Sequence, residues 1–303
     1  MAEQALNHEH YYVPSESRWP IIGAVALGLI MIGLANIIKG AHIGHYIFVS
    51  GFLVLIYMMF GWFGHVVKES LQGLNSAQMD RSYRWGMAWF IFSEIMFFAA
   101  FFGALFYIRE FSVPWLAGEG ARGAAGEFLW PSFSEWWNSI PSDTRWPLLS
   151  NPDSKAFPPP EHAMGAWGLP AINTFILLTS GATITWAHWG LLKSKKAHLV
   201  TGLTLTIALG ILFLCLQTYE YIEAYHELGL TLDSGVYGST FFMLTGFHGA
   251  HVTLGTIMLI VILVRSLKDH FRPDHHFAFE SVAWYWHFVD VVWLLLFVLV
   301  YWF

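Results

Sequence analysis

The chain has 303 residues, of which 56% are hydrophobic, 18% aromatic and only 12% charged. Because soluble domains carry about 25% charged residues, this composition excludes an ordinary water-soluble protein and indicates an integral membrane protein. The formal net charge of −6, without runs of basic residues, argues against a nucleic-acid partner. The single cysteine, Cys215, excludes an intramolecular disulfide and a metal site built on a CxxC motif.

Seven apolar stretches are long enough to cross a bilayer as helices, which takes about 20 residues. None alternates as a barrel strand does, so the predicted fold is an all-α membrane protein with seven transmembrane helices. The predicted spans lie near residues 20–39, 45–67, 85–108, 170–192, 199–224, 239–264 and 281–303. Most Lys and Arg residues fall in the N-terminal tail and in the loops after spans 2, 4 and 6, which predicts an inside N-terminus and an outside C-terminus.

The predicted spans divide unevenly along the chain. Residues 1–67 hold the N-terminal tail and a tight hairpin of helices 1 and 2, residues 68–84 form a polar inner connector, and residues 85–303 hold helices 3–7. The long outer loop 109–169 is rich in proline and tryptophan, which favours either contact with the membrane interface or a partner, or a solvated cap over the bundle. Helix 1 also carries three glycines that either let a second helix approach closely or are ordinary filler: Gly23, Gly28 and Gly33.

One acidic residue, Glu94, lies among Phe, Met and Ala side chains in the third predicted span. It is ten residues into that span, or about 15 Å along a helix, which is near the bilayer midplane. An ionised carboxylate is costly at this depth, so we expect the carboxyl to be protonated or hydrogen-bonded within the bundle. Two interpretations stay open: a neutral glutamate that bonds a nearby helix, and a proton-linked or lipid-linked site.

Two histidine motifs lie in spans 6 and 7. His248 and His251 are three positions apart and share one face of helix 6, where they could hold a metal or join helices as polar groups. His287 and Asp290 have the same spacing in helix 7, which favours a hydrogen-bonded pair between helices. The structural role is favoured for both motifs, so no metal site is predicted.

Other polar groups fall at the ends of the predicted helices. Arg265, Lys268 and His270 follow span 6 on the inner side, where basic groups can reach lipid phosphates. Glu220, Glu223 and Glu280 are predicted to be interfacial or paired, and His188 is predicted to anchor the inner end of span 4 at the interface. His275 and His276 resemble a fragment of a membrane-hydroxylase histidine box, but the other inner loops lack the additional boxes that such an enzyme needs.

Several motifs follow one another across spans 3–7, namely "RWGMAWFIFSEIMFF", "INTFILLTSGATITWAHW", "LQTYEYIEA", "YGSTFFMLTGFHGAHVTLG" and "HHFAFESVAWYWHFVDVVWLLLFVLVYW". Together with "KESLQG" at the end of span 2, they make the chain resemble subunit III of haem–copper cytochrome c oxidase. The resemblance implies seven helices that a V-shaped, lipid-holding cleft divides into a two-helix hairpin and a five-helix bundle. The loop 109–169 is longer than this family leads us to expect, so nothing about its role carries over.

The same resemblance implies a non-catalytic subunit of a proton-pumping terminal oxidase. Haem and copper would lie in partner subunits, the catalytic haem–copper subunit I and the copper-bearing subunit II. Cytochrome c would donate electrons to the complex, and phospholipids would bind in the cleft. No redox centre, catalytic residue or metal is expected in this chain, which has too few inward histidines for two haems and one copper, and one cysteine. Its expected role is to stabilise the catalytic subunit and to support proton uptake, in a bacterial inner membrane in preference to a mitochondrial one.

The resemblance also assigns expected roles to single residues. By its place in the S-E motif, Glu94 corresponds to a buried acid of the family. Five residues correspond to positions that contact lipid: Glu69, Arg84, Arg265, Lys268 and His270. Two alternatives stay open. A quinol-oxidase subunit III is disfavoured because such chains lack the first two helices, and a stand-alone proton-coupled transporter using Glu94 is disfavoured because the sequence shows no inverted repeats or broken helices.

Overall fold

The structure is a computed structural model that describes residues 16–140 and 163–302. Within this part the secondary structure is helical, apart from turns and one isolated bridge between Arg272 and His275. The N-terminal tail before residue 16 and the middle of the predicted outer loop lie outside the described residues. The predictions made for those two segments therefore stay predictions.

The α-helices are numbered here in chain order. They are α1 Trp19–Ile38, α2 Ile43–Leu71, α3 Ala77–Tyr107, α4 Val113–Leu116, α5 Gly123–Leu129, α6 Pro131–Ser139, α7 Leu169–Leu192, α8 Lys196–Glu227, α9 Gly235–Leu267 and α10 Phe277–Leu296. Within the described residues, seven helical spans are long and apolar enough to cross a membrane: α1, α2, α3 with its continuation through α4, α7, α8, α9, and α10 with its continuation to Trp302. The predicted all-α membrane fold with seven spans is confirmed.

The helices extend further than the apolar stretches of the sequence. α2 ends at Leu71 and α3 begins at Ala77, so most of the predicted connector 68–84 is helical. α3 continues through a π-helical turn, Ile108–Ser112, into α4, and so takes up the start of the predicted outer loop. The apolar stretch marks the part of a helix that lies in hydrocarbon, whereas the helix itself continues into the polar layer. The 33 residues of α9 correspond to about 50 Å, against about 30 Å of hydrocarbon.

The described part of the outer loop has a small core of its own. Val113, Ala117 and Trp137 are buried together where α4 and α6 meet. The Trp137 indole Nε1 donates a hydrogen bond to Glu119 Oε1 at 2.9 Å, and the Ser134 hydroxyl donates to the Ala117 carbonyl at 2.8 Å. The loop up to residue 140 is therefore a packed helical segment.

The first compact unit of the chain ends at Gly86 and contains the α1–α2 hairpin. Glycines allow its two helices to approach closely, since a Cβ atom on Gly51 would lie 2.7 Å from the Ile30 backbone nitrogen. Gly33 likewise faces the Phe48 backbone, whereas Gly28 has nothing within 4 Å. Of the glycines singled out in helix 1, Gly33 is thus at the helix contact and Gly28 is not.

The second compact unit begins at Met87 and contains α7–α10 together with most of α3. The fully buried Trp286 of α10 lies at its centre. Its ring fills the space left by two glycines, because a Cβ atom on Gly210 or Gly255 would lie 2.8 or 2.9 Å from it. The Trp286 indole Nε1 donates to the Ser180 hydroxyl of α7 at 2.8 Å. One side chain therefore packs α10 against α7, α8 and α9.

Candidate functional site

Glu94 lies in the helical span Ala77–Leu116 and faces a histidine of α9. His251 Nε2 is 3.0 Å from Glu94 Oε2, and His251 Nδ1 is 2.7 Å from the Phe247 carbonyl oxygen. Because a carbonyl oxygen can only accept, Nδ1 carries a proton, and the Nε2–Oε2 contact needs one further proton to be a hydrogen bond. The expected hydrogen bond within the bundle is thus present, and its partner is His251.

Aromatic side chains surround the Glu94–His251 pair. The His251 ring centroid is 5.1 Å from that of Phe98 and 6.3 Å from that of Tyr285. The side chains of His251 and Glu94 are 14% and 23% exposed within this chain. A carboxyl and an imidazole in such surroundings satisfy each other, which lowers the cost of placing either at membrane depth.

His248 does not share the environment of His251. Its ring is fully buried, with the Trp293 ring centroid at 5.2 Å and that of Phe213 at 5.8 Å. Neither ring nitrogen of His248 has a hydrogen-bond partner within the described residues. The three positions between them along α9 place His248 in the aromatic core and turn His251 toward α3.

His287 and Asp290 approach each other within α10 and also contact α7. His287 Nδ1 is 3.5 Å from Asp290 Oδ2, and His287 Nε2 is 3.3 Å from the Thr185 hydroxyl. Gly181 of α7 leaves the space that the Asp290 carboxylate occupies. The pair thus joins α10 to α7.

An apolar groove of about 800 Å³ runs between α3 and α10 on the second unit. Ile91 and Ile95 line it from α3, on either side of Glu94 in sequence, and Phe288 and Val291 line it from α10. His287 contributes a polar group to its wall. The groove therefore offers an apolar ligand or helix a surface close to the only acidic residue of this stretch of α3.

The end of α9 carries the predicted lipid-contacting residues. The Arg265 guanidinium lies over the Phe271 ring, with Cζ 4.5 Å from the ring centroid, and the residue is 9% exposed. Neither Arg265 Nε nor His270 Nδ1 has a hydrogen-bond partner in the described part of the chain. Lys268 caps the C-terminus of α9 between them. The structure thus brings Arg265, Lys268 and His270 to one end of one helix.

Glu69 and Arg84 belong to the first unit. Glu69 lies in the last turn of α2, and Arg84 in α3 forms an ion pair with Asp80, with Nε 2.7 Å from Oδ2. The five-residue turn 72–76 separates the two helices. Both residues, predicted in the connector, thus lie within helices, and the sequence did not identify Asp80, one helical turn from Arg84, as its partner.

Comparison with known proteins decides the family. A sequence profile described as "Cytochrome c oxidase subunit III" matches residues 8–114 and 154–303. Proteins named "Cytochrome c oxidase subunit 3" from Sus scrofa, Hippopotamus amphibius and Equus caballus are each 38% identical to this chain over 294 residues, covering 96% of both chains. The chain belongs to the cytochrome c oxidase subunit III family.

Membership of the subunit III family agrees with the resemblance found in the motifs of spans 3–7. The family profile leaves residues 115–153 unmatched. These residues include α5 and α6 and lie inside the loop predicted to depart from the family. Residues 115–153 are therefore a segment without a counterpart in the family profile, between two stretches that match it.

Sequence reasoning missed two side-chain groups of this family member. Glu220, predicted to be interfacial or paired, is fully buried and accepts a hydrogen bond from the Tyr301 hydroxyl at 2.7 Å. His188, His276 and Glu280 converge where α7 ends and α10 begins. The spacing of His276 and Glu280, four positions apart, could have revealed part of the second group, but the convergence of His188 on them depends on tertiary packing.

Proposed function

We propose that the chain is the accessory subunit of a proton-pumping cytochrome c oxidase and carries no redox centre of its own. In this proposal subunit I holds the haem–copper centre, subunit II holds copper, and cytochrome c supplies electrons. The names of the relatives support cytochrome c as donor. The proposed location is a bacterial inner membrane. The proposed orientation has the N-terminus inside and the C-terminus outside, and the distribution of Lys and Arg supports this orientation.

The observation that carries the lipid-binding part of the proposal is the buried Arg265 side chain at the end of α9. Arg265 is 9% exposed, and its Nε has no partner within the described residues. A cation buried in this way needs an anion, because its charge has lost most of its water. A phosphate offers oxygens that match the planar guanidinium fork. Lys268 and His270 follow on the next turn, so the group fits a phospholipid headgroup.

The Glu94–His251 contact supports an accessory role. Both ring nitrogens of His251 are engaged, one with Phe247 O and the other with Glu94. This histidine therefore has no lone pair left for a haem iron. We assign Glu94 the role of holding a proton in a buried pair that fixes α3 against α9, close to the groove where an apolar chain can lie.

Phospholipid retention tests the proposal. The double variant Arg265→Ala with Lys268→Ala should carry less phospholipid through purification of the oxidase complex, since each basic group near an anionic headgroup contributes about 1 kcal/mol. Lys193→Ala is the matched control, because Lys193 caps α7 and is exposed. Lipids are counted by mass spectrometry, and haems by the optical spectrum of the same sample. Unchanged lipid content in the double variant, or an equal loss in the control, contradicts the headgroup site. A preparation without haem contradicts the oxidase assignment.

A further inference from the structure

Two histidines and one glutamate meet where α7 ends and α10 begins. His276 Nε2 is 3.2 Å from Glu280 Oε1, and His188 Nε2 is 3.9 Å from the same oxygen. One ligand atom from each of the three residues lies within 4.8 Å of the others. The His276 side chain is 8% exposed and that of Glu280 is 16% exposed. Three groups that bind transition metals therefore point into one partly buried position.

The hydrogen bonds of His276 fix which of its nitrogens faces this position. His276 Nδ1 is 3.1 Å from the Arg272 carbonyl oxygen. The carbonyl can only accept, so Nδ1 bears the proton, and in the neutral ring Nε2 presents its lone pair toward Glu280. This is the arrangement in which a backbone carbonyl orients a metal-binding imidazole from behind.

Hydrogen bonding does not explain the short contact between His276 Nε2 and the Glu280 carboxylate. Neither His276 Nε2 nor His188 Nε2 makes a hydrogen bond within the described residues, although both atoms are buried. A lone pair 3.2 Å from a carboxylate oxygen is repulsive, and either a proton on one of the two groups or a metal cation between them removes that repulsion. Two ligands that bind one zinc ion at about 2.0–2.1 Å in tetrahedral geometry lie about 3.3 Å apart. The distance from His276 Nε2 to Glu280 Oε1 matches this value. The distance from His188 Nε2 to the same oxygen would match it after a shift of about half an ångström.

We propose that His188, His276 and Glu280 form a binding site for a divalent transition metal of the zinc class. Two imidazoles and one carboxylate are the donor set that suits Zn²⁺, whereas Mg²⁺ and Ca²⁺ take oxygen ligands. The fourth position is filled by water. Bound metal ties the C-terminal end of α7 to the first turn of α10, so its role is to fix these two helices. Glu280 lies in that first turn, where the helix dipole also favours a carboxylate.

The test uses the full-length chain in detergent, first stripped of metal with a chelator. Zn²⁺ binding is measured by isothermal titration, and Co²⁺ is then added because its visible absorption reports the coordination geometry. We expect one Zn²⁺ per chain, an intense tetrahedral Co²⁺ band, and a rise in melting temperature when Zn²⁺ is present. His276→Gln and Glu280→Gln should each weaken Zn²⁺ binding by at least about tenfold.

His275→Gln is the matched control, because His275 is the neighbouring histidine and is exposed. It should bind Zn²⁺ as the unchanged chain does. Circular dichroism of each metal-free variant shows whether it is folded, and Glu280→Gln provides a second measurement if His276→Gln does not fold. Three results overturn the proposal: no stoichiometric Zn²⁺ binding, an equal loss in His275→Gln, or unchanged affinity in both His276→Gln and Glu280→Gln.

Discussion

His251 Nε2 lies 3.0 Å from Glu94 Oε2 and joins two helices whose residues are 157 positions apart in sequence. The other nitrogen of the same ring is 2.7 Å from the Phe247 carbonyl oxygen. The imidazole is therefore held in one orientation, with Nε2 facing the Glu94 carboxyl. Two predictions concern this pair.

A hydrophobic carbodiimide should label Glu94 ahead of Glu220 and Glu280. Such reagents need a protonated carboxyl that they can reach through an apolar medium, and an apolar groove lined by Ile91 and Ile95 lies on the same helix as Glu94. The Glu94 side chain is 23% exposed, whereas Glu220 is 0% exposed and hydrogen-bonded to Tyr301. Peptide mass spectrometry of the treated complex identifies the site.

Glu94→Gln is the control for the labelling experiment and should abolish the labelled peptide. In the proposed accessory role this variant leaves oxygen reduction by the complex largely intact, because the redox centres belong to other subunits. If Glu94→Gln instead stops oxygen reduction while the complex assembles normally, Glu94 takes a direct part in the chemistry and the accessory role is wrong.

Removing both partners of the pair should cost less stability than the two single removals added together. Glu94→Leu leaves His251 Nε2 buried without a partner, and His251→Phe does the same to the Glu94 carboxyl. We expect each single variant to lose about 1–3 kcal/mol of unfolding free energy, and the double variant to lose less than the sum. Denaturation of the purified complex in detergent measures all four forms. Strict additivity would show that the 3.0 Å contact contributes no coupling.

Close packing of the α1–α2 hairpin should depend on Gly33 and not on Gly28. Gly33→Val places a branched side chain against the Phe48 backbone, so the helices must separate. Overpacking of this kind costs about 1–3 kcal/mol. Gly28→Val is the matched control, since Gly28 has nothing within 4 Å. Thermal melting and the yield of folded chain compare the two variants, and equal effects would contradict the helix contact.

The bundle of the second unit should depend on Trp286 far more than on its neighbour Trp284. Trp286→Ala empties the space between Gly210 and Gly255 and leaves the Ser180 hydroxyl without its donor. The expected loss is about 3–5 kcal/mol. Trp284 is 37% exposed and lines the groove, so Trp284→Ala should cost under about 1.5 kcal/mol. A comparable loss in both variants would show that Trp286 is not central to the packing.

The elements of the fold could be predicted from the sequence because hydrocarbon imposes length and apolarity on every span. The seven spans were found in this way, but they were predicted too short where polar residues continue the helix. The third span begins earlier, at Ala77, and the fifth ends later, at Glu227. No local sequence pattern identifies such an extension, because the residues of a polar helical turn resemble those of a polar loop.

Contacts between helices could be predicted only in part. The depth of Glu94 required a hydrogen-bond partner, but nothing in its own stretch identified His251. His248 and His251 lie on neighbouring positions of one helix face, and the packing of α9 against Trp293 and Phe98 gives them different surroundings. His188 joins His276 and Glu280 for the same reason. Spacing along one helix predicts neighbours on that helix, whereas pairs across helices depend on rotation and register.

The length of α8 and α9 affects how the protein tolerates its lipid environment. These helices have 32 and 33 residues, and so exceed the hydrocarbon thickness by about 18–20 Å. Bilayers that differ by a few ångströms can therefore be matched by tilting, without pulling charged residues such as Lys196 or Asp269 into hydrocarbon. Hydrophobic mismatch should thus have little effect on this chain, and reconstitution into bilayers of short or long acyl chains should leave its melting temperature nearly constant.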